Sequence, residues 1–99
     1  MKMNPLGSTG LTVTEVGFGV LTIGGTQLNL PLAEGASLIR YALERGINFL
    51  DTAQYYRTYP YIRRALKGTS FTPVIVSKCL YGSYGQMQEA IEEARKELD

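Results

Sequence analysis

Short apolar runs alternate with amphipathic helical segments along this chain, and this alternation constrains the fold more than any other feature. Runs of strand character lie at residues 17–20, 47–51 and 74–78, and a segment with apolar residues at helical spacing follows each of them. Alternating strands and helices predict a parallel sheet with right-handed crossovers. We therefore predict an α/β fold of three strand–helix units, with residues 1–99 in one domain.

Proline, glycine and serine mark the ends of the predicted helices. The first helix is expected to begin at Pro31, which suits a first turn, and to end before Gly46, which suits a left-handed cap. The second is expected to run from Pro60 to Gly68, and the third to begin after a cap at Ser83. The apolar stripe of the third helix comprises Met87, Ile91, Ala94 and Leu98.

A β-hairpin is predicted ahead of the first strand–helix unit. Residues 5–16 contain a turn cluster at 7–10, followed by a segment in which apolar and polar residues alternate. Alternation with period two is typical of a half-buried strand, and a glycine-containing turn joins two such strands. One face of this ribbon is therefore expected to be exposed.

The composition excludes several classes of function. Ten Lys and Arg residues against nine Asp and Glu residues give a net charge of +1, so no charge excess points to nucleic acid or to a membrane surface. The chain has no histidine and one cysteine, Cys79, which excludes a zinc or iron site of the usual ligand types within it. No apolar run approaches the roughly 18 residues of a membrane helix, and the first residues lack the apolar region of a signal peptide. A cytoplasmic location is expected, because a lone cysteine forms no internal disulfide.

Two opposite charges follow neighbouring predicted strands. Asp51 ends the run 47–51, and Lys78 ends the run 74–78. The C-terminal ends of parallel strands form one edge of the sheet, where proteins of this class place their ligands. A charge at the end of a buried strand is costly unless it is paired or used. The two residues therefore indicate either one rim of an active site or a structural ion pair.

Tyr56, five residues after Asp51, is the third candidate. Tyrosines often cover the edge of a core, and the chain has seven of them, so this residue alone indicates little. Beside Lys78, however, its hydroxyl would suit proton donation to a carbonyl oxygen that gains negative charge during hydride attack. Asp51 would hold the lysine in place. The other tyrosines of the nearby loops, which either line a substrate mouth or form an ordinary half-buried surface, are Tyr55, Tyr59, Tyr61, Tyr81 and Tyr84.

The glycines of the first strand have two open interpretations. Gly17 and Gly19 would begin a dinucleotide-binding fingerprint, but Thr22 stands where its third glycine is required, so the fingerprint fails. A glycine inside a strand marks the close approach of another backbone or of a ligand. The two glycines therefore either relieve crowding or contact a cofactor. Cys79, next to Lys78, is expected to face away from the site and to pack against a helix.

Taken together, these motifs resemble the N-terminal part of an aldo-keto reductase. The matching blocks, in the family's order, are Leu6–Val13, Gly17–Gly19, Ala42–Ala53 with Tyr56, and Val76–Lys78. They cover nearly the whole chain, and the G-I-N-x-x-D-T-A block with its tyrosine is specific. The resemblance implies a (β/α)8 TIM barrel, closed at the bottom by the hairpin, of which residues 1–99 are the N-terminal portion.

The resemblance also implies an activity and a role for each candidate residue. The family reduces aldehydes and ketones with NADPH, so the expected partner is a small carbonyl substrate. Tyr56 would be the general acid, Lys78 would tune it, and Asp51 would support the lysine. The residues expected near the nicotinamide are Gly19, Val20 and Leu21, together with Asp51. No metal is expected.

The sequence departs from the family pattern in two ways. The family commonly has glycine after the tyrosine and a glutamate a few residues later, where this chain has Arg57, Pro60 and Tyr61. This segment is more similar to a divergent branch whose members often carry a ferredoxin-like iron–sulfur segment downstream. In addition, a full barrel needs about 250 residues, and the family's catalytic histidine follows a strand that lies outside these residues.

Three hypotheses of function follow. The first is an NADPH-dependent carbonyl reductase of which these residues are a fragment, expected to be inactive in isolation. The second is a non-catalytic subunit that uses the barrel as a binding or regulatory platform. The third is an independent αβ module with an oligomeric interface.

Overall fold

The chain forms a β-hairpin followed by three strand–helix units, in the order that the sequence predicts. The computed structural model describes residues 1–80 and 82–99. The hairpin strands are β1 (Met3–Pro5) and β2 (Thr12–Thr14). The strand–helix units are β3 (Phe18–Gly19) with α1 (Leu32–Glu44), β4 (Phe49–Asp51) with α2 (Tyr59–Leu66), and β5 (Val74–Val76) with α3 (Tyr84–Leu98).

The strands β3, β4 and β5 form a parallel sheet with β4 at its centre. Gly19 of β3 pairs with Asp51 of β4, and Asp51 pairs in turn with Val76 of β5. All three strands therefore end at the same edge of the sheet, as the parallel arrangement requires.

The predicted strand at 74–78 is shorter in the structure, but its last residues still run beside the segment that follows β4. The amide of Thr52 donates a hydrogen bond to the carbonyl of Val76 at 2.8 Å, and the amide of Gln54 donates to the carbonyl of Lys78 at 2.9 Å. These bonds fix the backbone of Lys78 next to the end of β4.

The core lies between the sheet and the helices α1 and α2. Ile39 of α1, Leu50 of β4 and Ile62 of α2 are completely buried in it. Each such side chain stabilises the fold by about 1.5–3 kcal/mol through its removal from water. The residues of α1 that are buried lie on one face of the helix and are Gly35, Ala36, Ile39, Ala42 and Leu43.

The turn from α1 into β4 depends on Gly46. This residue has a φ of +99°, in the left-handed region that favours glycine. Its amide donates to the carbonyl of Leu43 at 3.0 Å, and the amide of Ile47 donates to the carbonyl of Ala42 at 3.1 Å. This pair of bonds is the Schellman pattern, so the predicted left-handed cap is confirmed.

Helix α2 begins one residue earlier than predicted and buries two tyrosines. Tyr59 and Tyr61 are both buried, Tyr59 beside Ser77 after β5 and Tyr61 against α1. The ring of Tyr61 packs over Gly35 of α1, where a β-carbon would lie 2.4 Å from the ring. The Tyr61 hydroxyl donates to the carbonyl of Leu30. The sequence left a substrate mouth and a half-buried surface as alternatives for these two tyrosines, and the structure buries both of them more deeply than either alternative expects.

Asn48 attaches the hairpin to the start of β4. Its side-chain oxygen accepts a hydrogen bond from the amide of Thr14 at 2.8 Å, and its side-chain nitrogen donates to the carbonyl of Thr12 at 3.0 Å. Thr14 is buried, so its amide requires a partner within the protein. The asparagine of the G-I-N block therefore has a structural role in this chain.

The last strand–helix unit, β5 with α3, is the least buried of the three. Every residue of β5 is half-buried, because β5 is an edge strand of the described sheet. On α3 the buried residue is Ala90, while Met87 and Ile91 of the predicted stripe are exposed. Among the residues that the structure describes, no helix combines the length and the apolar character needed to cross a membrane.

Candidate active site

Asp51 lies at the centre of the edge where the parallel strands end. Its neighbours across the sheet are Gly19 and Val76, and its carbonyl accepts a hydrogen bond from the amide of Val20 at 3.0 Å. The backbone is thus fixed on both sides, while half of the side chain (50%) remains exposed to solvent. The strand therefore presents a carboxylate at a defined position on an open surface.

Lys78 comes to this carboxylate from the segment after β5. Its Nζ lies 2.6 Å from Oδ1 of Asp51, and 47% of its side chain is exposed. An ion pair at this degree of exposure is worth at most about 1 kcal/mol, so it adds little to the stability of the fold. Its main consequence is geometric, because it holds the ammonium group at one place above the strand ends.

Tyr56 also contacts the ammonium group of Lys78. The Nζ of Lys78 is 5.5 Å from the centroid of the Tyr56 ring, a cation–π contact, and the tyrosine is half-buried. The structure thus brings Asp51, Tyr56 and Lys78 together at one edge of the sheet, as the sequence predicts. Their chemical roles stay a prediction.

A buried pair of hydroxyl groups closes the loop that carries Tyr56. Thr52 directly follows Asp51, and Thr58 lies two residues after Tyr56; both side chains are completely buried. Their Oγ1 atoms are 2.7 Å apart and form a hydrogen bond. The sequence interpretation missed Thr58, and its only signal is a polar residue two positions before the predicted start of the second helix at Pro60.

Gly24 allows the loop after β3 to pack directly on the Tyr56 segment. A β-carbon at this position would lie 2.5 Å from Cγ2 of Thr58 and 3.1 Å from the carbonyl oxygen of Tyr56. Contacts this short are not tolerated between carbon atoms, so only glycine fits without movement. The sequence places Gly24 in a loop but does not reveal which segment it touches.

The residues predicted to lie near a nicotinamide differ in how accessible they are. A β-carbon at Gly19 would meet nothing within 4 Å, so the surface beside Asp51 is open there. Leu21 is half-buried, whereas the side chain of Val20 is completely buried in the core. Any contact from Val20 to a cofactor through its side chain is therefore prevented. Gly17 relieves crowding, because a β-carbon there would lie 3.2 Å from the Phe49 ring.

The remaining candidates lie outside this cluster. Tyr55 and Tyr84 are 67% and 83% exposed, and Tyr81 lies outside the described residues. Cys79 faces α3, where its Sγ is 2.9 Å from the sulfur of Met87, so the prediction that it packs against a helix is confirmed.

Comparison with known proteins identifies the family to which the chain belongs. The model of the aldo/keto reductase family matches residues 15–99. This chain belongs to the aldo/keto reductase family. Among curated proteins it is 38% identical over 56 residues to L-galactose dehydrogenase of Arabidopsis thaliana, covering 57% of this chain and 18% of that protein. It is 41% identical over 56 residues to the uncharacterized oxidoreductase YqkF of Bacillus subtilis, covering 57% of this chain and 17% of that one.

A solved structure extends the similarity over the whole chain. A thermostable aldo-keto reductase, in complex with the inhibitor epalrestat, superposes with a TM-score of 0.85 at 30% identity. The match covers 100% of this chain and 39% of the solved chain. The hairpin and the three strand–helix units are thus the N-terminal part of an aldo-keto reductase TIM barrel.

Arg57, which stands after Tyr56 where the family commonly has glycine, adopts an unusual backbone conformation. Arg57 has a φ of 59° and a ψ of 33°, in the left-handed region. A side chain in this region costs about 1–2 kcal/mol, which glycine avoids. The glycine expected at this position from the family resemblance would suit this conformation, which this chain adopts with arginine.

Proposed function

We propose that Asp51, Tyr56 and Lys78 form the proton-donating part of an active site that reduces the carbonyl group of an aldehyde or a ketone with NADPH. One observation supports this above all: the Nζ of Lys78 is bonded to Asp51 at 2.6 Å and lies 5.5 Å from the ring centre of Tyr56. A cation is thus held against a phenol at the strand ends.

The reaction requires a proton donor at the carbonyl oxygen. That oxygen gains negative charge as hydride reaches the carbon, and the Tyr56 hydroxyl donates a proton to it. Lys78 stabilises the negative charge that then develops on the phenol oxygen. For charges about 5 Å apart this interaction is worth roughly 1 kcal/mol in water and about 3 kcal/mol at an effective dielectric constant of about 20. Asp51 offsets part of the charge but fixes the ammonium group.

The open surface beside Asp51 supports a place for the cofactor ring in this proposal. Gly19 has open space above it, and the Asp51 carboxylate is half exposed. We propose that Gly19, Leu21 and Asp51 contact the nicotinamide, while Val20 supports the strand end from the core. When bound, the reduced nicotinamide supplies the hydride for the carbonyl carbon.

The rest of the catalytic site lies outside these residues in our proposal. The chain spans 18% of the first curated relative and 39% of the solved chain. We therefore expect residues 1–99 alone to be inactive and to bind NADPH weakly, and the complete barrel to be the enzyme, located in the cytoplasm. A tight, stoichiometric titration of the isolated chain with NADPH would contradict this expectation.

The experiment that tests the function removes the lysine charge. In the complete enzyme, NADPH oxidation in the presence of small aldehydes and ketones is measured for Lys78→Met and for a control, Lys67→Met. Lys67 is exposed at the end of α2, away from the site. Loss of about 1–3 kcal/mol of stabilisation lowers kcat for Lys78→Met by about 5- to 150-fold, and Lys67→Met retains the wild-type rate.

The same experiment distinguishes this enzyme from the alternative hypothesis, a non-catalytic subunit. A non-catalytic subunit built on this barrel would show no carbonyl-dependent NADPH oxidation in the wild-type protein with any of the substrates. Equal kcat values for Lys78→Met and Lys67→Met in an active enzyme would show that the lysine does not act on the reaction.

A further inference from the structure

We propose that the buried hydrogen bond between Thr52 and Thr58 positions Tyr56 for proton transfer. This inference rests on the proposed function, since it assigns a role in placing the general acid. The two threonines are positioning residues, because both are buried and neither side chain reaches the open surface beside Asp51.

The bond spans the base of the loop that holds Tyr56. Thr52 continues β4, and its amide is bonded to β5. Thr58 is fixed at the start of α2, where its carbonyl accepts hydrogen bonds from the amides of Tyr61 at 3.1 Å and Ile62 at 3.3 Å. The 2.7 Å bond between the two hydroxyl groups thus joins the strand end to the helix start. Tyr56 lies between these two points.

The start of the loop is also tied to Lys78, because the amide of Gln54 donates to the carbonyl of Lys78 at 2.9 Å. Within it, the amide of Tyr56 bonds to the carbonyl of Ala53 at 3.1 Å, and the amide of Arg57 bonds to the carbonyl of Gln54 at 3.2 Å. These two bonds are local, so they shape the turn after Gln54 but do not join it to the start of α2, as the bond between the threonines does. Arg57 also has left-handed backbone angles, which a loop without an anchor would relax.

The methyl group of Thr58 fixes the loop from the opposite side. It packs against Gly24, whose missing β-carbon leaves room for both Cγ2 of Thr58 and the carbonyl of Tyr56. Thr58 therefore has two separable functions: its hydroxyl binds Thr52, and its methyl group packs against the loop after β3. Substitution by valine removes the first and substitution by serine removes the second.

The test compares Thr58→Val with Thr58→Ser in the complete enzyme. A displacement of about 1 Å in a reacting group lowers the rate by about 100-fold, so we expect Thr58→Val to lose about 10- to 100-fold in kcat. The KM for NADPH should be unchanged, because the open surface at Gly19 is not altered. Thr58→Ser keeps the hydroxyl and should retain kcat within about threefold. Thr69→Val, which removes a hydroxyl bonded to the carbonyl of Leu66 at the far end of α2, is the matched control.

The second arm uses Thr52→Val and the double valine variant. If the bond itself matters, each single variant loses the same factor in kcat, and the double variant loses no more than either one. This arm also decides the question if Thr58→Val fails to fold. A kcat within about twofold of wild type for a folded valine variant at either position overturns the inference, as does a loss that serine fails to restore.

The failure of this inference differs from the failure of the proposed function. If Tyr56→Phe retains the wild-type rate, the proposed proton donor is wrong whatever the threonine variants do. If Tyr56→Phe is inactive while Thr58→Val has wild-type kcat, the proposed function stands and only the positioning role is refuted.

Discussion

Substitution of Gly24 by alanine is expected to destabilise the protein by a purely steric route. The backbone of Gly24 has a φ of −90° and a ψ of −176°, which alanine adopts without strain. The new β-carbon would lie 2.5 Å from Cγ2 of Thr58, however, and Thr58 is completely buried and bonded to Thr52. Neither side of this contact moves without breaking other interactions.

The magnitude follows from two opposing effects. Forcing an extra carbon atom into a packed region costs about 1–3 kcal/mol. Replacing glycine by alanine at a permitted backbone conformation returns about 0.4–1 kcal/mol, because the unfolded chain loses freedom. We expect Gly24→Ala to lower the free energy of unfolding by about 1–2 kcal/mol. With a slope of about 2 kcal/mol per molar urea, the unfolding midpoint falls by about 0.5–1 M.

The chain offers a matched control and a rescue for this prediction. At Gly25 a β-carbon would meet only Oδ1 of Asn29 at 3.6 Å, an ordinary contact, so Gly25→Ala should leave the urea midpoint unchanged or raise it. Thr58→Ser removes the clashing methyl group. The double variant Gly24→Ala with Thr58→Ser should therefore be more stable than the sum of the single effects predicts, by about 1 kcal/mol. Equal midpoints for the alanine variants at 24 and 25, or strict additivity in the double variant, would refute the steric argument.

Two further predictions concern the backbone of the loop and the hairpin. Arg57→Gly relieves about 1–2 kcal/mol of left-handed strain and costs about 0.5–1 kcal/mol in chain entropy, so it should stabilise the protein by about 0.5–1 kcal/mol in urea unfolding. Arg64→Gly, at an exposed position inside α2, should instead destabilise the protein by about 1 kcal/mol. If both variants change the free energy of unfolding in the same direction, the strain assigned to Arg57 is contradicted. Asn48→Ala leaves the buried amide of Thr14 without its partner and should lower the free energy of unfolding in urea by about 1–3 kcal/mol. A loss below about 0.5 kcal/mol would show that water replaces the side chain.

Much of the fold follows from local patterns in the sequence. The alternation of apolar runs and helical stripes gives the parallel sheet, because each element shows its period within a few residues. Gly46 is recognisable as a cap, since it lies between the helical stripe and the next apolar run. Asp51 and Lys78 are found for the same reason: parallel strands end at one edge, so residues at strand ends meet there.

The features that sequence reasoning missed all depend on contacts between distant segments. Gly24 packs against Thr58, Gly35 makes room for Tyr61, and Asn48 binds the hairpin. None of these pairs has a periodic signal, because each joins two loops or two elements whose relative position only the folded chain defines. The burial of Tyr61 was missed for a related reason: a tyrosine near a charged pair suggests a site, but the missing side chain of Gly35 gives it a place in the core.

The most direct test of the central claim is the rate of carbonyl reduction after removal of one phenol oxygen. In the complete enzyme, NADPH oxidation with a small aldehyde is compared between Tyr56→Phe and Tyr55→Phe. The neighbouring Tyr55 is 67% exposed and serves as the control. Tyr56→Phe should lower kcat by about 100- to 10,000-fold, and Tyr55→Phe should leave it unchanged. Equal rates for the two variants would contradict the assignment of Tyr56 as the proton donor held against Lys78.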